Sequence, residues 1–172
     1  MSATRSKFWK ARWALVPVTA ILAALVGSLL WAGTTHATPG SGVTLLKLAD
    51  GDLSEQVRVK IKAGSENTID VFKIQTYKIT IAPGGYTGWH QHGGPHMIVV
   101  AAGVLSYYKG DDPTCTGVNY PAGSSIMDPG FTTHLARNEG TVDVVNYVTQ
   151  FLPALGIFRI DIPAPGNPNC PF

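Results

Sequence analysis

Three histidines, His90, His92 and His96, fall within seven residues of the run from Gly84 to Gly103. His90 and His92 are two apart, so on a strand both side chains leave the same face. Gly93, Gly94 and Pro95 have the composition of a turn. His96 then opens the apolar run Met97 to Ala102, and its ring can return to the same place. A fourth histidine, His134, stands in Pro-Gly-Phe-Thr-Thr-His-Leu-Ala-Arg-Asn. Neutral imidazoles that converge in this way suit Zn, Cu, Fe or Ni. Each ligand must be deprotonated, so metal loading is expected to fall as pH drops toward and below about 6.5. Asp128 precedes Pro129-Gly130 and reads as a turn cap, Asn138 as a group that orders a strand end, and Met97 and Met127 as packing residues.

The segments that must position these rings read as strands. Glu55 to Ala63 alternates, with Val57, Val59 and Ile61 on one face and Arg58, Lys60 and Lys62 on the other. Further strand candidates cover 43–49, 70–82, 97–102, 104–109, 118–127, 132–138, 142–151 and 157–162. Turn chemistry separates them at Asp50-Gly51-Asp52, Gly64 to Asn67, Pro83-Gly84-Gly85, Gly110 to Pro113, Asp128 to Gly130 and Glu139 to Thr141. No helical period appears after residue 37. Short strands at this spacing, with 19 Gly and 12 Pro in 172 residues, predict an all-β sandwich or barrel.

The N-terminus is different in kind. Arg5, Lys7, Lys10 and Arg12 precede an apolar stretch over 13–33, and Thr35-His36-Ala37 closes it. This order fits a secretory signal peptide, and its length also fits an N-terminal membrane anchor. Either reading puts the domain outside the cytoplasm, secreted or held at a membrane. His36 lies beside the expected cut and is left out of the metal set. Residues 38–67 read as linker and N-terminal strands, 68–152 as the barrel core, and 153–172 as a last strand with a Pro-rich tail. Beyond Ala37, nine basic and eleven acidic residues leave a net charge of −2. No basic patch with interleaved aromatics points to nucleic acid. The two cysteines, Cys115 and Cys170, both sit in Pro-rich loops, and in an exported domain they are expected to pair.

Taken together, the histidine run and its sequel resemble the two motifs of the cupin family. The first is a glycine, five residues, His-x-His, three or four residues, a glutamate, six residues and a glycine. Gly84, His90, His92, His96 and Gly103 keep every spacing, with His96 where the family has glutamate. The second is Pro-x-Gly, two residues, His, three residues, Asn. Pro129, His134 and Asn138 keep it, with the glycine displaced to Gly130. The resemblance covers about residues 68–152. It implies a cupin jelly-roll β-barrel in which His90, His92, His96 and His134 project inward and bind one divalent transition metal, Fe, Zn, Mn, Ni or Cu. His96 reads as a ligand or as a group behind the ligands.

Histidine in place of glutamate removes a negative charge. Four neutral ligands leave the full +2 on the ion, which favours an anionic substrate or dioxygen at an open position. No acid inside the first motif replaces the lost base. Two functional readings follow from the resemblance. One is a metal-dependent oxidoreductase of the dioxygenase type acting on a small organic molecule. The other is a non-catalytic barrel, either holding a small ligand or keeping a relic site. The expected partners are a small molecule and, through the N-terminal segment alone, a membrane; a homodimer is compatible with either reading.

Overall fold

Period-two alternation turns one face of each strand indoors, and strands built this way must close on each other to hide that face. The computed structural model describes residues 38–172 apart from 64, 168 and 171, with 63 and 65–67 as backbone only. The expected leader, residues 1–37, lies outside the described residues. Among the described residues no helix is long and apolar enough to cross a membrane.

Ten strands form an all-β, nearly closed barrel with antiparallel pairing throughout: β1 Ser41–Ala63, β2 Ser65–Tyr86, β3 His90–Gln91, β4 His96–Ala102, β5 Val104–Lys109, β6 Val118–Pro121, β7 Ser125–Asp128, β8 His134–Arg137, β9 Val144–Leu152 and β10 Ile160–Asp161. The main path runs β10-β3-β8-β2-β9-β4-β7; β5 pairs with β6 and β8, and β1 with β2. Ile81, Val100, Leu105, Tyr107, Ala136 and Val144 form the main core. Trp89, Tyr108, Leu135 and Cys170 form a second cluster.

Two expected turns are strand instead, as is most of a third, since Ser65, Glu66 and Asn67 of the expected turn over Gly64 to Asn67 pair with Ala63, Lys62 and Ile61. Asp50, Gly51 and Asp52 pair with Gln75, Ile74 and Lys73, and the irregularity falls after them, between Asp52 and Val57. Their polar side chains suit this edge position, where Lys47 reaches Asp50 and Lys73 reaches Asp52, each at 3.1 Å. Pro83-Gly84-Gly85 lies inside β2, where the register against β1 shifts between Ile81 and Tyr86 and Gly84 takes a φ of 76°. Extra residues are absorbed there as a bulge that bends the strand. Met97 and Met127 do not pack inside either. They face each other across β4 and β7 on the outer surface, 45% and 41% exposed. Histidine at 96 already claims the inward phase of β4, so residue 97 must point out.

Asn138 does order a strand end. Its Nδ2 donates to the carbonyls of Ile81 and Val142, each at 2.8 Å, and its Oδ1 accepts from the Gly140 amide at 3.0 Å.

The β7–β8 turn carries a strained residue. Gly130 and Phe131 both have positive φ, 79° and 56°. Phe131 occupies the position at which the second motif places its glycine, and the backbone keeps the conformation a glycine would take. The left-handed region costs a side-chain-bearing residue about 1–2 kcal/mol. The Phe131 ring is 55% exposed, so little packing offsets that cost. Phe131→Gly should therefore stabilise the fold by about 1 kcal/mol, seen as a higher urea midpoint at unchanged slope. A lower midpoint would mean that contacts of the ring outweigh the strain.

Cys115 and Cys170 form a disulfide, as expected, and it fastens the C-terminal segment to the barrel. Trp89 Nε1 donates to the Phe172 carbonyl at 2.7 Å. The Arg137 guanidinium lies 4.2 Å from the centre of the Phe172 ring. Ile160 and Asp161 pair with Gln91 and His90, so this segment walls the edge of the histidine strand.

Candidate metal centre

Strand pairing and the turn between β3 and β4 bring the four histidines together. His90 lies opposite His134 in the β3–β8 ladder. His96 begins β4, with Asp128 of β7 on one side and Gln150 of β9 on the other. His92 follows β3 and shares its inward phase with His90; its ring centre lies 3.6 Å from that of His96, 4.7 Å from His90 and 5.0 Å from His134, and His90 lies 4.3 Å from His134. Gly94 makes the turn into β4 lie flat against β9: an added Cβ would sit 2.0 Å from the Phe151 carbonyl oxygen. No other residue type fits there without moving His96.

Each ring is fixed in the same way. Nδ1 of His90 is 2.8 Å from the Gly88 carbonyl, that of His92 2.9 Å from Phe158, that of His96 3.0 Å from Gly94, and that of His134 2.9 Å from Thr132. A carbonyl only accepts, so every Nδ1 carries the hydrogen and every Nε2 offers a lone pair. Three of the four use the carbonyl two residues back, set by the turn that precedes each strand. This is the arrangement that orients metal-binding imidazoles elsewhere.

The rings are 2–7% exposed. Burial is the main influence on all four and disfavours the charged form. It lowers His92 and His134 to about 4, and it lowers His90 and His96 as well, with neighbouring imidazoles adding to the effect at His90, His92 and His96. At neutral pH all four are uncharged and ready to bind. The expectation that loading fades near the ordinary histidine value is therefore corrected downward in pH.

Asp128 is a cap and something more. Its Oδ1 accepts from the Gly130 amide at 2.9 Å and from the Thr132 hydroxyl at 3.2 Å. Its Oδ2 lies 3.8 Å from His92 Nε2 and 3.5 Å from His134 Nδ1, buried and without a hydrogen-bond donor. Burial pushes this carboxyl up, while charge on His92 works the other way. Two overlapping triads result, His90/His92/His134 and His92/His96/Asp128, with the ligand atoms of each within 4.8 Å of one another. The acid missing from the first motif thus arrives from the end of β7.

His96 Nε2, Asn146 Oδ1 and Gln150 Oε1 are also buried without partners. Leaving such a group unmet costs about 1–3 kcal/mol. A set of acceptors and lone pairs with no donor is what a cation would satisfy, and imidazoles with a carboxylate fit a divalent transition metal. Asn146 and Gln150 carry a readable signal that sequence analysis passed over. They are in phase with Val144, Val148 and Leu152 of β9, where an apolar residue is expected. The Phe158 carbonyl has no such signal, because any residue there would supply it.

A cavity of about 470 Å³ opens over the histidines, within the range of small-molecule sites. Ile79, Ile81, Ile98, Leu105 and Val148 give it apolar walls, and Arg159 and Asp161 also line it. Tyr107 stacks on His134, ring centres 5.0 Å apart, and its burial pushes the phenol far up, so it stays protonated.

No protein-family model matches the sequence, and no curated protein is similar to it. Solved structures are similar in fold. The polyketide cyclase RemF from Streptomyces resistomycificus superposes with a TM-score of 0.52 at 16% identity, over 78% of this chain and 80% of that one. A cupin-like protein from Thermotoga maritima gives 0.47 at 18% identity, over 56% and 69%. The Cupin_2 domain of an XRE family transcriptional regulator from Enterobacter cloacae gives 0.47 at 14% identity, over 66% and 99%.

Proposed function

We propose that this chain, a β-barrel of cupin fold, binds one divalent transition metal through His90, His92, His96 and His134, with Asp128 at the same centre, and holds a small organic molecule in the cavity above. The observation that carries this reading is the common tautomer: four buried Nε2 lone pairs, each locked in place from behind by a backbone carbonyl. When bound, such an ion supplies Lewis acidity and, if it is iron, redox chemistry with dioxygen. The residues supply the rest. The imidazoles orient the centre, the apolar walls exclude water, and Asp128 Oδ2 offers the one carboxylate of the cluster as ligand or proton acceptor. An oxidoreductase of the dioxygenase type is the reaction class we favour. A non-catalytic ligand-holding barrel is the second reading; the count of five donors supports it, because they can fill most of the ion's coordination sphere.

The disulfide supports an oxidising compartment. Export by residues 1–37, as signal peptide or anchor, belongs to the same reading.

The test is metal content. Protein dialysed after exposure to Zn, Fe, Ni, Cu or Mn should retain about one equivalent of at least one of them. Retention of less than about a tenth of an equivalent of every metal would leave only a relic barrel. Loading should stay level from pH 7 to about 5 and fall toward pH 4, where His92 and His134 begin to charge. The metal-free fold should lose stability over a related window. The unfolded chain takes up protons below about 6.5 while the buried rings do not, so stability drops as pH falls from there toward 4. A loading curve centred near 6.5 would mean that the rings are solvated in solution.

A further inference from the structure

Arg159 is the one Lys or Arg among the residues that line the histidine cavity. Its Nε donates to Asp161 Oδ1 at 2.5 Å and its Nη2 to the Thr87 carbonyl at 2.7 Å. These contacts hold the guanidinium plane at the mouth, with the side chain 26% exposed. A guanidinium has five N–H donors. Two are used, and the others have no protein acceptor among the described residues. Such a fork is shaped for a carboxylate.

We propose that Arg159 anchors the ligand of this cavity, and that the ligand is a small monocarboxylate with an apolar body. The proposal rests on the metal reading above, and charge decides the class. A divalent ion beside an ionised Asp128 leaves one positive charge. Arg159 and Asp161 cancel each other. A single negative charge on the ligand brings the buried site to neutrality, and a second would be left over. The apolar body follows from Ile79, Ile81, Ile98, Leu105, Ala136 and Val148, which offer no hydrogen bond and outnumber the uncharged polar lining residues outside the histidine cluster, among them Thr87, Tyr107 and Asn146. Arg159 also helps hold down the proton affinity of His90, His92 and His134, so its charge is felt inside the site.

The experiment is calorimetric titration of the metal-loaded protein with butyrate, hexanoate and phenylacetate, with phenylacetamide as the neutral counterpart and phenylmalonate as the dianion. At least one monocarboxylate should bind, phenylacetate at least tenfold more tightly than phenylacetamide, and phenylmalonate no better than phenylacetate. Arg159→Gln should erase the preference for acid over amide while metal stoichiometry and β-sheet circular dichroism stay as in the wild type. Arg159→Lys, which keeps the charge and loses the fork, should fall between. Loaded wild type that binds acid and amide alike, or binds no monocarboxylate, overturns the proposal and leaves the metal reading standing. A preference that survives in Arg159→Gln assigns it to the metal alone and also overturns the proposal. Failure to retain any metal is a separate result and removes the premise. If both variants misfold, the acid-to-amide comparison is repeated on the metal-free wild type: a preference that persists without metal supports Arg159, and one that vanishes assigns it to the metal and overturns the proposal.

Discussion

His92→Ala will strip the metal. His92 belongs to both triads, so its loss breaks each of them at once. No neighbour can take its place, because the other three rings are tied by Nδ1 to carbonyls of their own. Altering groups that merely support metal ligands typically costs 10–100-fold in affinity; loss of a ligand shared by both triads should cost at least about 100-fold. His134→Ala breaks one triad alone and should also weaken metal binding, by roughly 10–100-fold. Asp128→Asn removes charge and keeps shape, and a loss of roughly 10–100-fold is expected. His96→Glu, which restores the family's usual residue, should keep the metal. Competition with a chromophoric chelator gives the affinities, and circular dichroism shows whether the barrel is intact. If His92→Ala competes for metal as well as the wild type does, the centre lies elsewhere.

Opening the Cys115–Cys170 bond should be the most damaging change outside the cluster. The bond spans 55 residues, and closing a loop of that size stabilises by about 4 kcal/mol in the chain-entropy account. Cys115→Ser with Cys170→Ser, or reduction of the wild type, should lower the melting temperature by many degrees. The same change should weaken metal binding, because the fastened segment carries the Phe158 carbonyl that accepts from His92 and from Gln150, each at 2.9 Å. A lower melting temperature with unchanged metal affinity would mean that Trp89, Arg137 and the β3–β10 pairing hold the segment without the bond.

The all-β architecture and the convergence of His90, His92, His96 and His134 were legible because both rest on local arithmetic. Alternation has period two, and residues two apart share a face. What the sequence concealed was decided by neighbours. Asp128 looked like a cap and is one; a carboxylate has two oxygens, and only the packing of β7 against β4 shows where the second points. Asp50 to Asp52 have turn chemistry, but the long β2 strand offers them ladder partners and solvent takes their charges. Met97 and Met127 are apolar yet lie outside, since phase within a strand outranks residue type. Arg159 reaches the cavity only because β10 folds back along β3.

The Phe158 carbonyl gives the centre an order of completion in time. The ribosome makes His90, His92, His96 and His134 before it makes the residue that orients His92. Until that last segment docks, His92 has no fixed tautomer, and an ion met by the nascent chain finds at most three imidazoles held from behind. The full ligand set exists only once the C-terminal strap has closed. On the proposed metal reading, an ion bound by all four imidazoles is therefore one met in the medium where folding finishes, wherever synthesis began.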